Sequence, residues 1–195
     1  MPFFMTSGET MPRILAILAH HNKESLNGYL YSQTIAELEK QGHTIDVLDL
    51  YDRAKEIPFY VPVKDLETHP FFLENRQRFL EADGLLIVFP VHCFAVPGIL
   101  KCWFDLIGAE LETIAQAKKR PRKAFVIFSS GAPGFYVRFF AHNNPQSMLS
   151  SCFRFMKIAK KKFYHVGMTG NLNEKKVSKH RNAIIAKTSL FFGKN

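Results

Sequence analysis

Three short stretches of the chain combine residue types that can hold or transform a ligand. The first, HHNKESLN at His20–Asn27, follows an apolar run and leads into a helical pattern. Free backbone N–H groups at a helix N terminus suit a phosphate, and the Ser25 hydroxyl and Asn27 amide would add to them. A protonated His20 would contribute a charge-assisted bond. The plainer reading is a capped turn, in which Ser25 only caps the helix and His20 only bonds a carbonyl. The second stretch, PVHCFAVPG from Pro90, is apolar and aromatic yet lies outside a strand, which suits a pocket lining. Phe94 taken alone reads as core filling. The third, SSGAPGFY at Ser129–Tyr136, is small and glycine-rich, so its backbone can approach a flat ligand closely; an ordinary turn is the alternative.

Chemistry at these stretches requires elements that bring them together. Residues 13–19 (RILAILA), 44–50 (TIDVLDL), 84–89 (GLLIVF), 123–129 (KAFVIFS) and 162–168 (KFYHVGM) have strand length and strand composition. Between and after them, helical spacing predicts helices over 26–40, 71–82, 97–117, 147–161 and 174–192. Gly42 ends the first of these and Pro97 opens the third. In the fourth, Met148, Cys152, Met156 and Ala159 form one stripe with lysines opposite. Strands alternating with helices predict a parallel sheet covered on both faces by helices, with right-handed connections. The carboxyl ends of its strands are where such a sheet binds its ligand, and all three stretches leave strands at that edge. We expect an N-terminal extension over residues 1–12 and a single α/β domain over 13–195.

Composition removes several function classes. The chain has 195 residues, 47% hydrophobic and 22% charged, which excludes disorder. Its net charge of +9 is unevenly placed: residues 1–117 carry 9 basic and 16 acidic side chains, whereas 118–195 carry 17 basic and 1 acidic. Nucleic acid, an anionic membrane or a phosphorylated ligand each suit a basic face. The interleaved stretch FRFMKIAKKKFYH at 153–165 favours nucleic acid most, but its aromatics fall at core-facing spacings and no nucleic-acid motif accompanies the charge. Cys93, Cys102 and Cys152 have no metal-ligand spacing and suit a reducing, cytoplasmic setting. Cys93 reads as inert packing rather than a redox thiol. No glycine-rich dinucleotide fingerprint, P-loop or zinc-ligand pairing is present. The first twelve residues lack the pattern of a secretory signal, and the longest apolar run, 84–100, is too interrupted to span a membrane.

At these loops the sequence resembles the flavodoxin-like NAD(P)H:quinone oxidoreductase family. His20, Ser25 and Asn27 match its strand and phosphate loop. DGLLIVFPVHCFAVPGILKCWFD at 83–105 is the most specific match, with Pro90, Phe94, Pro97, Leu100, Lys101 and Trp103 in place, and Ser129, Ser130, Gly131 and Ala132 stand for a Thr-Thr-Gly-Gly loop. The resemblance runs in order over 13–170. It implies a three-layer flavodoxin-like fold with a five-stranded parallel sheet in the order 2-1-3-4-5. It implies FMN, with FAD the alternative, and hydride transfer from NAD(P)H to a quinone-like acceptor by a ping-pong scheme. His20, Ser25, Leu26 and Asn27 would bind the flavin phosphate; Pro90, Val91, His92, Cys93 and Phe94 would border the ring; Ser129, Ser130, Gly131 and Ala132 would face its polar edge. No metal is implied.

The family's catalytic Tyr and His correspond to Tyr136 and His142, equally spaced but one residue nearer the loop. His92 and Cys93 stand where many relatives carry a tryptophan, which puts the preferred acceptor in doubt, and Ala132 replaces a glycine. A homodimer is what the resemblance implies; the cytoplasmic location rests on the cysteines, with peripheral membrane contact left open. The competing function is a flavin-bearing electron carrier or a regulatory subunit of a membrane transporter; nucleic-acid binding ranks below both.

Overall fold

A computed structural model describes residues 11–59, 62–140 and 142–193. Residues 1–10 of the expected N-terminal extension therefore lie outside the described residues. Five strands, β1 (Arg13–Leu18), β2 (Thr44–Asp49), β3 (Gly84–Pro90), β4 (Lys123–Ser129) and β5 (Lys160–Val166), form one sheet in the order β2-β1-β3-β4-β5. Every pairing is parallel, as the strand-and-helix alternation requires. Seven α-helices are present among the described residues: α1 (Leu26–Lys40), α2 (Pro70–Glu81), α3 (Gly98–Gly108), α4 (Leu111–Gln116), α5 (Gly134–Phe139), α6 (Asn144–Phe155) and α7 (Glu174–Phe192).

The side-chain alternation of the central strands builds two cores. Ile14, Ala16 and Leu18 of β1, with Leu86 and Val88 of β3, pack with Leu30 and Leu38 of α1 and Ile184 and Phe192 of α7. Leu15, Ile17, Leu85, Ile87 and Phe89 face the other way, against Phe79, Trp103 and Phe153 of α2, α3 and α6. Strands buried on both faces read as unbroken apolar runs, which is why β1, β3 and β4 stand out in the sequence. Burying the Trp103 indole requires a partner for its N–H. Nε1 donates to Asn75 Oδ1 at 3.1 Å, and Asn75 Nδ2 donates to the Phe71 carbonyl at 2.9 Å.

Several elements depart from their sequence pattern. The expected helix over 97–117 breaks at Ala109–Glu110, so α3 and α4 are separate. The loop expected after β4 contains α5, a short helix behind Pro133. The helix predicted over 147–161 runs over 144–155, because Pro145 suits a first turn and Lys157 adopts a positive φ of 53° that ends it. Met156 and Ala159 consequently lie beyond the helical stripe, and β5 begins at Lys160. β5 is an edge strand whose first three residues, Lys160, Lys161 and Lys162, are exposed. Lysine there discourages a second chain from pairing with the open edge, which accounts for part of the charge excess without any ligand.

Candidate functional site

Because β1 and β3 are neighbours and their connections lead to opposite sides, a crevice opens beyond their carboxyl ends. The loop from β1 to α1 forms one wall. Ser25 caps α1: its hydroxyl accepts from the Gly28 N–H at 3.2 Å, and its carbonyl accepts from the Tyr29 N–H. That leaves the Leu26 and Asn27 N–H groups without intrahelical partners. The turn before the helix is tight, with Asn22 Oδ1 accepting from the Glu24 N–H at 2.8 Å. A Cβ on Gly28 would lie 1.9 Å from the Lys23 carbonyl oxygen, so only glycine lets the helix and turn pack this closely.

His20 does not bond a carbonyl. Its Nδ1 accepts from the Asn22 N–H at 2.9 Å, which puts the neutral ring's proton on Nε2. Burial, followed by the charge of His21, lowers the His20 pKa below the usual histidine value. The charge-assisted bond considered for His20 therefore gives way to an ordinary Nε2–H donor near neutral pH. Lys23 is occupied elsewhere, 2.5 Å from Asp52 and 3.6 Å from Asp49.

The three loops are tied to one another. Asn27 Nδ2 donates to Ser129 Oγ at 2.8 Å, joining the first to the third. The Val91 N–H donates to the Ser129 carbonyl at 2.7 Å, joining the second to the third. Asn27 is almost wholly buried, and its Oδ1 has no partner. The second loop is a two-residue reversal in which His92 and Ala95 exchange backbone hydrogen bonds. Cys93 (φ 46°) and Phe94 (φ 63°) both occupy the left-handed region at its tip, a conformation unfavourable for side chains of their kind. The turn leaves Cys93 exposed rather than packed and brings the half-exposed Phe94 ring to 6.0 Å from Tyr136. Phe94 is therefore not core filling. Tyr136 stacks in turn on Phe140 at 5.2 Å.

In the third loop Ser129 and Ser130 are buried, whereas nothing lies within 4 Å of a Cβ built on Gly131, leaving open space over the backbone. Ser130 Oγ donates to the Ala132 carbonyl and pairs with His165 Nε2, both at 2.8 Å. With its own proton given to Ala132, the hydroxyl accepts from His165, which fixes His165 as the Nε2–H tautomer. Burial, with a smaller contribution from His180, lowers the His165 pKa, and the ring stacks on Phe128 at 4.7 Å. Sequence reasoning missed His165; its available signal was a polar residue one position from the carboxyl end of β5. A cavity of about 410 Å³ adjoins this loop, lined by His165, Gly134, Arg138, Asn143 and Gln146 among others.

His142 is not drawn into the same network. It is exposed, has a φ of 48° beside Asn143 at 49°, and makes no side-chain hydrogen bond among the described residues. The described residues contain no group of three or more His, Cys, Asp or Glu that could hold a metal ion. No helix among them is long and apolar enough to cross a membrane.

Fold and loops together define a doubly wound α/β protein whose open loops gather at one switch point. A family model described as a flavodoxin-like fold matches residues 12–188, and the chain belongs to that family. The chain is 30% identical over 116 residues to ribosyldihydronicotinamide dehydrogenase [quinone] of Rattus norvegicus, an alignment covering 49% of this chain and 50% of that one. It is 28% identical over 166 residues to the FMN-dependent NADH:quinone oxidoreductase of Coprothermobacter proteolyticus, covering 76% and 82% respectively. The chain spans about half the length of the first of these curated relatives. Among solved structures, the NAD(P)H:quinone oxidoreductase from Methanothermobacter marburgensis superposes with a TM-score of 0.75 at 18% identity, covering 92% of this chain and 96% of that one. An FMN-dependent NADH-azoreductase from Bacillus anthracis, in complex with FMN, gives 0.75 at 18% identity with 93% and 100% covered. At such identities the structural likeness concerns the fold.

Proposed function

We propose that this protein is an FMN-dependent NAD(P)H oxidoreductase that reduces a quinone or similar planar acceptor. The observation that carries the proposal is the convergence of three loops at the switch point, locked by the bonds of Asn27 and Val91 to Ser129. The names of its relatives support the same reading. The residues fit the cofactor. Two N–H groups at the start of α1 lack intrahelical partners and suit an anion, the buried Asn27 Oδ1 is an acceptor in want of a donor such as a cofactor hydroxyl, and the Gly131 backbone is uncovered. Phosphate would lie against Ser25, Leu26 and Asn27 with His20 Nε2–H as a further donor. Pro90, Val91, His92, Cys93 and Phe94 would border the ring, and Ser129, Ser130, Gly131 and Ala132 would meet its polar edge. FMN rather than FAD is favoured because the sequence shows no adenine-binding element.

The chemistry that FMN supplies when bound is hydride acceptance from NAD(P)H and two-electron return to an acceptor. The chain's own groups position and protonate. Phe94 and Tyr136 border a planar acceptor from the second and third loops, and the Tyr136 hydroxyl is a proton donor at that surface. His142 is retained as a second donor, exposed and free to turn toward an arriving substrate. Ser130, held by His165 and Ala132, keeps the third loop in place. Donor and acceptor sharing one surface in turn predicts ping-pong kinetics.

Phe135, Phe139 and Phe140, with relative exposures of 62%, 67% and 68%, present an apolar face beside the site. That face supports a homodimer whose second copy covers it. Three cysteines without disulfide bonds support a cytoplasmic setting. We take residues 13–195 as one domain, since one sheet and its covering helices run through them. Steady-state oxidation of NADH and NADPH by a simple quinone tests the activity. FMN-loaded protein should turn over with parallel double-reciprocal lines. Absence of turnover would refute the oxidoreductase and favour a carrier or a transporter's regulatory subunit.

A further inference from the structure

The loop proposed to receive a phosphate dianion has no free cation of its own. Its lysine, Lys23, is held by Asp52 and Asp49, and Glu24 adds a negative charge. His20 cannot readily supply the charge, since protonating Nδ1 would break its bond from the Asn22 N–H. His21 can. Its ring is exposed and stacks on His20 with centroids 4.7 Å apart and planes at 19°, while Tyr51 meets it edge-on at 6.0 Å. We propose that His21 is a second phosphate-binding residue: it takes up a proton as the cofactor's phosphomonoester dianion binds, while His20 stays neutral and donates through Nε2–H. This inference rests on the FMN reading of the site and adds a residue that neither the sequence motif nor the loop-locking bonds single out.

The surrounding groups are consistent with this division of labour. His20 faces His21 from its own loop, His92 from the second loop and Asp49 from the end of β2. The effects of burial, His21 and His92 on His20 all favour its neutral form; Asp49 opposes them. A charge arriving on His21 leaves the ring beneath it uncharged, so the stacked pair carries one proton more, not two. Two neutral imidazoles and a dianion become an imidazolium, an imidazole and a dianion, with the proton drawn from solvent. The second ionisation of a phosphomonoester falls near pH 6, so above that value a pH-dependent affinity reports proton uptake by the protein rather than by the ligand.

The test is the dissociation constant of FMN and of riboflavin, which lacks the phosphate, measured by flavin fluorescence from pH 6.5 to 8.5. Calorimetry in buffers of contrasting ionisation enthalpy counts the protons taken up. FMN affinity should fall about three- to tenfold per pH unit, the upper bound being one proton per site, with riboflavin flat. His21→Asn should weaken FMN binding at pH 6.5 and abolish the pH dependence. His21→Lys should restore the affinity and keep it flat with pH. Equal pH profiles for FMN and riboflavin, or an unchanged profile in His21→Asn, would overturn the role of His21 while leaving the flavin site intact. Failure of the wild-type protein to bind FMN at any pH would overturn the flavin reading beneath it.

Discussion

Replacing Gly28 by alanine sets two physical effects against each other. Alanine is the better helix former, and in an unobstructed helix interior the change stabilises by about 1 kcal/mol. In this protein the new Cβ would meet the Lys23 carbonyl oxygen at 1.9 Å, its carbon at 2.6 Å and Lys23 Cα at 3.0 Å. All three are backbone atoms, so no side-chain rotation relieves the overlap. Contacts below 3.0 Å are essentially never seen, so the 20–25 turn must retreat by about 1 Å. Overpacking typically costs about 1–3 kcal/mol, and a 1.9 Å overlap with backbone that cannot rotate away belongs at the upper end, above the propensity gain. The same retreat carries His20 and Ser25 away from the α1 terminus. Losing one hydrogen bond to a charged phosphate, worth about 1.5–3 kcal/mol, would weaken FMN about ten- to a hundredfold. Urea denaturation and fluorescence titration measure the two quantities. Gly98→Ala is the control, because nothing lies within 4 Å of its Cβ. A Gly28→Ala protein as stable as the parent, binding FMN equally well, would refute this account of the loop.

Three further outcomes are expected. Ser130→Ala leaves the Ala132 carbonyl and the His165 Nε2–H without their partner and should cost about 1–3 kcal/mol, read as a lower urea midpoint; an unmoved midpoint would count against the Ser130–His165 link. Burial would raise the Asp46 pKa, but hydrogen bonds from Arg78 and Arg13 outweigh it and hold the carboxyl below its usual value. Its contribution is thus complete above the ordinary carboxylate pKa and lost as pH falls through the lowered one, so Asp46→Asn should lose on the order of 2 kcal/mol at pH 7 and show a flatter acid limb, with an unchanged pH–stability profile as the contrary result. Replacing Lys161 and Lys162 together by valine should raise the mass above that of the parent protein in light scattering as concentration rises, because the β5 edge loses its guard; an unchanged mass would assign those lysines another purpose.

The parts of the fold legible in the sequence were those whose patterns arise from burial. The runs in β1, β3 and β4 are apolar because both faces are covered, and 174–192 forms α7 as its spacing indicates. Boundaries set by backbone conformation were less visible. Lys157 and Met168 adopt positive φ although neither is a residue that announces it; α6 ends just before the first, and β5 ends two residues before the second. Ser25 and Asn27 could be picked out because capping and phosphate binding use a short list of residue types at fixed spacing, and Ser129 because it opens a small, glycine-rich stretch that resembles the family's Thr-Thr-Gly-Gly loop. His165 could not, since its partnership with Ser130 spans 35 positions and depends on β4 and β5 being adjacent. The strained reversal at Cys93 and Phe94 was hidden for the same reason as the helix ends: turns of that geometry normally carry glycine or asparagine.

The central claim is that the three loops around Ser129 form a flavin site, and a crystal structure of the protein grown with FMN tests it most directly. The phosphate should lie within hydrogen-bond distance of the Leu26 and Asn27 N–H groups, and the ring between Val91–Phe94 and Ser129–Ala132. FMN bound elsewhere, or excluded at saturating concentration, would contradict it.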